Sequence, residues 1–147
     1  MFTFYDLNDL LLLNNVQVLP RLGVPILIPR GKLKRHEFAT VKRFEGLAGK
    51  GYVNILELDD AGFEFVIQNK KRYRSESHSF LEMLYISKST NSTIIAEDDE
   101  STVRSAAADF GINVYNMDEF NTATINNKEY FDFINEIKLE RRRKMDL

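Results

Sequence analysis

Val24-Pro25-Ile26-Leu27-Ile28 decides the fold. A continuous apolar run of this length, set between Gly23 and the turn residues Pro29-Arg30-Gly31, is expected of a strand buried on both faces. Such strands belong to parallel sheets with helices above and below. Upstream, Phe2 to Tyr5 reads as a short aromatic and β-branched strand that ends at Asp6. Asn8 to Val18 has helical apolar spacing through Leu10 to Leu13, broken by Pro20 and Gly23. Downstream, Lys32 to Leu47 reads as one amphipathic helix with Leu33, Phe38, Val41 and Phe44 on its apolar side.

Gly46, Gly49 and Gly51 mark a loop, without the strand context or lysine of a phosphate-binding loop. Tyr52 to Leu58 alternates as a strand, and Asp59 and Asp60 are placed to cap a helix through Phe65 and Ile67. Ser75 or Ser77 starts the next helix, Ser79 to Ser87. A strand over Ser92 to Ala96 ends at Asp98-Asp99. Ser101 to Phe110 is a helix stopped by Gly111, and Ile112 to Tyr115 is a strand. Asp118 to Phe120 reads as a turn, Asn121 to Asn127 as polar loop and Lys128 to Arg143 as a final helix. Strands alternating with helices predict an α/β fold, a three-layer α/β/α sandwich around a mainly parallel sheet. The expected organisation is a single domain over residues 1–147, with 141–147 a basic tail that frays.

Composition narrows the function. Of the 147 residues, 44% are hydrophobic, enough for a sizeable core. The chain has no cysteine, which removes disulfides, thiolate zinc sites and cysteine nucleophiles. The start reaches Asp6 without a basic leader, and the apolar runs are too short to span a bilayer. A cytoplasmic location and no membrane partner are therefore expected. Net charge is −2, so no global basic field announces nucleic acid. Charge is uneven, however. Basic clusters at Lys32 to Arg43, Lys70 to Arg74 and Arg141 to Lys144 flank an acidic run, Glu97 to Glu100.

Chemistry is expected where strands end. Open α/β sheets place their sites at strand carboxyl ends, near a switch in strand order. Asp6 follows the first strand and Asp98 follows Ile94-Ile95. If those strands are neighbours, their carboxylates converge on one rim. Clustered carboxylates resist ionising together, and a hard divalent cation relieves the repulsion. Mg²⁺ or Mn²⁺ held there would activate water and stabilise charge on a phosphate.

Asp6-Leu7-Asn8-Asp9-Leu10-Leu11 resembles the opening of the PIN-domain family, in which a strand ends in Asp-x-Asn-x-Leu-Leu. Ile26-Leu27-Ile28-Pro29 with Leu33 and Glu37 is similar to that family's second strand, its proline and a glutamate on the next helix. Thr93 to Asp99, followed by Arg104, Ala107 and Gly111-Ile112, resembles its late strand, acid pair and helix, and Val114-Tyr115 its last strand. The resemblance covers Phe2 to Phe120. It implies a metal-dependent endoribonuclease that hydrolyses RNA phosphodiester bonds with Mg²⁺ or Mn²⁺ and activated water. Asp6 would be the first metal ligand, Asp98 or Asp99 the late one, and Glu37 the helical glutamate. Near the place of the mid-chain acid stands His78. Glu82 is the favoured substitute and Glu76 the second choice. Asn8 would position Asp6. The family also suggests a toxin with an antitoxin partner, and a homodimer.

Each residue has a plain structural role as well. Asp6 could cap the first helix, and Asp98 and Asp99 the Ser101 helix. Glu37, Glu82 and His78 could be solvated helix residues. Arg141 to Arg143 could contact phosphates or simply offset a helix C-terminus. An imperfect acid set would leave a catalytically degenerate PIN-like module that binds RNA or a protein. A receiver-like or phosphatase-like domain is disfavoured: position 8 is Asn where Asp-x-Asp is needed, and no mid-strand Asp with a late Lys is evident.

Overall fold

Five short strands pair in the order β3-β2-β1-β4-β5, all parallel. They are β1 (Phe2–Phe4), β2 (Ile26–Pro29), β3 (Asn54–Leu56), β4 (Thr93–Ile95) and β5 (Val114–Tyr115). The computed structural model describes residues 1–15, 17–124 and 128–146. The helices are α1 (Leu7–Asn15), α2 (Arg30–Leu33), α3 (Phe38–Gly49), α4 (Asp60–Lys70), α5 (His78–Ser89), α6 (Ser101–Asp109), α7 (Met117–Thr124) and α8 (Lys128–Asp146). A short 3-10 turn, Leu19–Arg21, follows α1.

The sheet is buried on both faces, as the apolar strands require. Phe4, Ile26, Ile28 and Ile95 pack into one core with Leu10 and Leu13 of α1, Phe44 of α3 and Phe120 of α7. Ile94 faces a second core, built from Val66 of α4, Leu81 and Leu84 of α5, and Val103 and Ala107 of α6. Alternate residues of β4 therefore serve opposite layers. Thr3, between two core phenylalanines, is wholly buried and is satisfied by a 2.8 Å hydrogen bond with Ser87 Oγ of α5. This is the expected three-layer α/β/α fold. No helix among the described residues is long and apolar enough to cross a membrane.

Several boundaries differ from the sequence expectation: Gly46 and Gly49, read as loop, lie inside α3, and α1 ends at Asn15 and not at Val18. Lys32 to Leu47 is not one helix. Pro29 ends β2 instead of starting a turn, and α2 begins directly after it. The chain then opens at Glu37 (φ −61°, ψ 153°) before α3 starts. The break explains why Phe38, placed on the apolar side by periodicity, is 76% exposed while Leu33 and Phe44 are buried. The segment read as a turn at Asp118 to Phe120 and a loop from Asn121 is helix α7 through Thr124; residues 125–127 of that expected loop lie outside the described residues. A reciprocal capping box starts α7. Glu119 Oε1 accepts from the Asn116 backbone N–H at 3.0 Å, and Asn116 Oδ1 accepts from that of Glu119 at 2.9 Å. Finally, α8 continues through Asp146, so the basic residues from Arg141 are helical.

Gly62 marks a close contact between α4 and α5. A Cβ there would lie 2.7 Å from both Leu58 Cγ and Tyr85 Cε1, too near for carbon atoms. Asp59 caps α4 at the same point, accepting from Gly62 N and from Tyr85 Oη, each at 2.7 Å. Alanine is the better helix former, but overpacking outweighs propensity here. Gly62→Ala is expected to lower stability by about 1–3 kcal/mol, read as a drop in the urea midpoint with an unchanged slope.

Candidate functional site

Strand order reverses direction between β1 and β4. Chain growth runs outward from β1 through β2 to β3, then crosses back to β4 and on to β5. The carboxyl ends of β1 and β4 therefore diverge from a common crevice, the usual place for a ligand. Direct pairing of Phe4 with Ile95 brings the two ends side by side, and Tyr5 N donates to Ile95 O at 3.0 Å. Residues 5–9 and 96–100 share one rim as a result.

Two cavities open on this rim and share Tyr5, Asp6 and Glu100 as a common wall. The larger, about 570 Å³, lies towards α2 and the loop before α5. Its walls carry Lys32, Arg35, Lys70, Arg74 and Glu76. The smaller, about 380 Å³, lies towards α8 and carries Asn8, Asp9, Glu97, Asp99, Lys138 and Arg142. The structure thus brings Asp6, Asn8 and Asp99 together on one cavity. Asp98 turns into a neighbouring one, with Asn116 and Arg142. Glu76, second choice as the mid-chain acid, lines the larger cavity with Asp6.

Glu37 and Glu82 line neither. Glu37 is exposed at the start of α3, outside the helical position expected for it. Glu82 packs against the α2 backbone, where a Cβ on Gly31 would fall 1.6 Å from its Oε2. Burial pushes the Glu82 carboxyl up, an effect that nearby Lys34 and His78 partly offset. His78 itself is exposed.

Asp6, Asp9, Glu97 and Asp98 are already engaged. Asp6 Oδ1 accepts from the Asn8 backbone N–H at 2.9 Å, so Asp6 caps α1 through main chain and not through the Asn8 amide group. Asp98 pairs with Arg104 at 3.2 Å and accepts from Asn116 Nδ2 at 3.1 Å. Arg104 also donates to the carbonyls of Ala96 and Glu97, fixing the loop after β4. Asp9 is only 8% exposed, and Lys138 Nζ reaches it at 2.9 Å while holding Glu97 at 2.8 Å. Burial alone would pull the Lys138 ammonium down, but its bonds to Asp9 and Glu97 win and hold it protonated. Asp9 is nevertheless pushed up by burial, because one ammonium shared between two acids does not fully offset the desolvation.

The second lysine faces Asp6. Lys32 Nζ donates to Tyr5 O at 2.5 Å and lies 4.8 Å from the centre of the Tyr5 ring. Burial pulls its pKa down to about 8, a fall that the Asp6 charge limits and Arg35 deepens. Tyr5 in turn is raised, by burial and by the surrounding charges of Glu100, Glu76 and Asp6.

These donors do not fit a divalent cation as they stand. Among the described residues, no three His, Asp or Glu side chains come together in a way that could hold a metal ion. The Lys138 ammonium sits between Asp9 and Glu97, and the Arg104 guanidinium pairs with Asp98. Sequence reading singled out neither lysine, because a lone Lys on a helix is ordinarily solvated, and the partners of Lys138 come from α1 and the end of β4.

Two stability effects follow from the lysines. Lys138→Met should cost about 3 kcal/mol, since it strands Asp9 in a buried place, and adding Asp9→Asn should recover most of it in urea unfolding. Lys32 works the other way. Its folded pKa of about 8 lies below the ordinary 10.5, so the unfolded chain binds more protons between those values and stability rises with pH there. Below pH 8 the burial cost is fully present, about 3 kcal/mol at most. Lys32→Met should therefore raise the urea midpoint at pH 7, by an amount that narrows as pH climbs from 8 to 10.5. No protein-family model matches the chain, and no curated protein matches it either.

Proposed function

We propose that the chain is a PIN-like RNA-binding module in which the protein's own lysines, and not a divalent metal, balance the rim acids. The observation that carries this is Lys138 Nζ within 2.9 Å of both Asp9 and Glu97, with the Lys32 ammonium beside Asp6. An ammonium can neutralise a carboxylate but cannot lower the pKa of a water as a metal does. The acids then serve to orient the cations, and hydrolysis has no activated nucleophile.

RNA is favoured as the partner by the cations that remain. Arg35, Lys70 and Arg74 flank one end of the rim, and Arg141 and Arg142 the other. A phosphate backbone crossing the rim would meet positive charge on both sides, which is how position on a nucleic acid is set.

Fluorescence anisotropy with a labelled single-stranded RNA tests the proposal. Binding should weaken steeply with salt, and Arg74→Ala and Arg142→Ala should each flatten the log–log salt slope by about one. The RNA should stay intact with Mn²⁺ present, and calorimetric titration of Mn²⁺ should give no binding heat. Heat that disappears in Asp6→Asn, together with Mn²⁺-dependent loss of RNA, would instead establish the Mg²⁺- or Mn²⁺-dependent endoribonuclease that the sequence resemblance implies. Failure to bind RNA at low salt would leave a protein-binding module.

A further inference from the structure

The larger rim cavity holds cations whose donors the fold uses only in part. The Lys32 ammonium is part-buried in its wall and donates to the Tyr5 carbonyl. An ammonium has three N–H donors, and leaving them unmet in a shielded place costs free energy. Arg35 and Arg74 line the same cavity, and neither guanidinium has a carboxylate partner within salt-bridge distance among the described residues. Lys70 differs: its Nζ donates to the carbonyls of Arg74 and Glu76, so it shapes the loop that presents Arg74. Ser77 and Ser79 add hydroxyls, joined at 2.9 Å beside the N-terminus of α5.

The geometry points to a pocket for a terminal phosphate monoester, the chain end of an RNA or a free nucleotide. This rests on the RNA-binding reading and names the part of the RNA that the cavity takes. The shielding of the Lys32 ammonium, part-buried in the wall, selects an end over an internal linkage. An internal diester continues in both directions and is held by the exposed Arg35 and Arg74, whereas a terminal phosphate enters and reaches Lys32. Charge selects the same group. A monoester carries nearly two negative charges at neutral pH against one for a diester, and because Lys32, Arg35, Lys70 and Arg74 outnumber Asp6, Glu76 and Glu100 on the walls, attraction grows with the charge of the ligand. Guanidinium forks match phosphate oxygens in pairs, so Arg35 and Arg74 would grip the sides while Lys32 meets the tip. About 570 Å³ accommodates the phosphate with its first sugar.

The test compares one labelled RNA oligomer with a 5′-phosphate, a 3′-phosphate or hydroxyls at both ends, at pH 7 and fixed salt. Phosphorylation at one end should tighten binding about tenfold, the worth of one charge-assisted hydrogen bond. The preference should vanish in Lys32→Met, which removes the ammonium without loss of folding, read as the ratio of affinities for phosphate-ended and hydroxyl-ended RNA measured within the same variant. Adenosine 5′-monophosphate should compete with the phosphorylated end, and inorganic phosphate less well, which separates a nucleotide end from a bare anion site. Equal affinity for all three ends, or a preference that survives Lys32→Met, would overturn the pocket while leaving RNA binding in place. Should no RNA bind, thermal-shift titration with adenosine 5′-monophosphate decides the pocket alone: a shift lost in Lys32→Met upholds it, and no shift rejects it.

Discussion

Direct pairing of β1 with β4 is the constraint on which the rest depends. Those strands are 89 or more residues apart in sequence, yet Phe4 and Ile95 are register partners. That pairing makes the sheet reverse its strand order between them, and so opens a crevice at their carboxyl ends. It also forces Asp6 and Asp9 against Glu97, Asp99 and Glu100, a concentration of negative charge that an apolar sheet edge would not tolerate unrelieved. Thr3, caught between core phenylalanines on β1 and satisfied only by Ser87, helps to hold the register from behind.

Relief comes from two lysines reaching in from different directions. Lys138 descends from α8 onto Asp9 and Glu97; Lys32 rises from α2 beside Asp6. Their energetic signs differ. Lys138 is held protonated by its acids, so the fold and the charge support each other. Lys32 is charged at the expense of stability, because a single carbonyl and an aromatic face replace its hydration. A cost of that kind fits a group whose remaining donors serve a ligand. The two cavities that share Asp6 and Glu100 are thus unlike: one is closed on itself by an ion network, and the other keeps cations in reserve.

Much of the fold was legible in the sequence, since apolar runs such as Ile26-Leu27-Ile28 and Thr93-Ile94-Ile95 have one comfortable place, inside a covered parallel sheet. The acid at each strand end was legible for the same reason. What was lost depended on local bonds or on distance. The break at Glu37 re-phases the apolar positions of α2 and α3, which a single helical period cannot follow. The capping box Asn116-x-x-Glu119 was present as a pattern, yet the polar residues after it hid a helix whose buried face is only Met117, Phe120 and Asn121. The sequence favoured Glu82 over Glu76, but their separation of six residues spans the start of α5, and only Glu76, in the loop, lines the rim cavity. The roles of Lys32 and Lys138 were illegible: each is set by partners brought in through the sheet.

Central to this account is that ammonium groups, and not a metal, neutralise the switch-point acids. Anomalous diffraction from a crystal grown or soaked with Mn²⁺ reads that directly. The account predicts no manganese peak within coordination distance, about 2 Å, of Asp6 or Asp99, with Lys138 still bridging Asp9 and Glu97. A peak bound by Asp6 and Asp99 with the lysines displaced would contradict it.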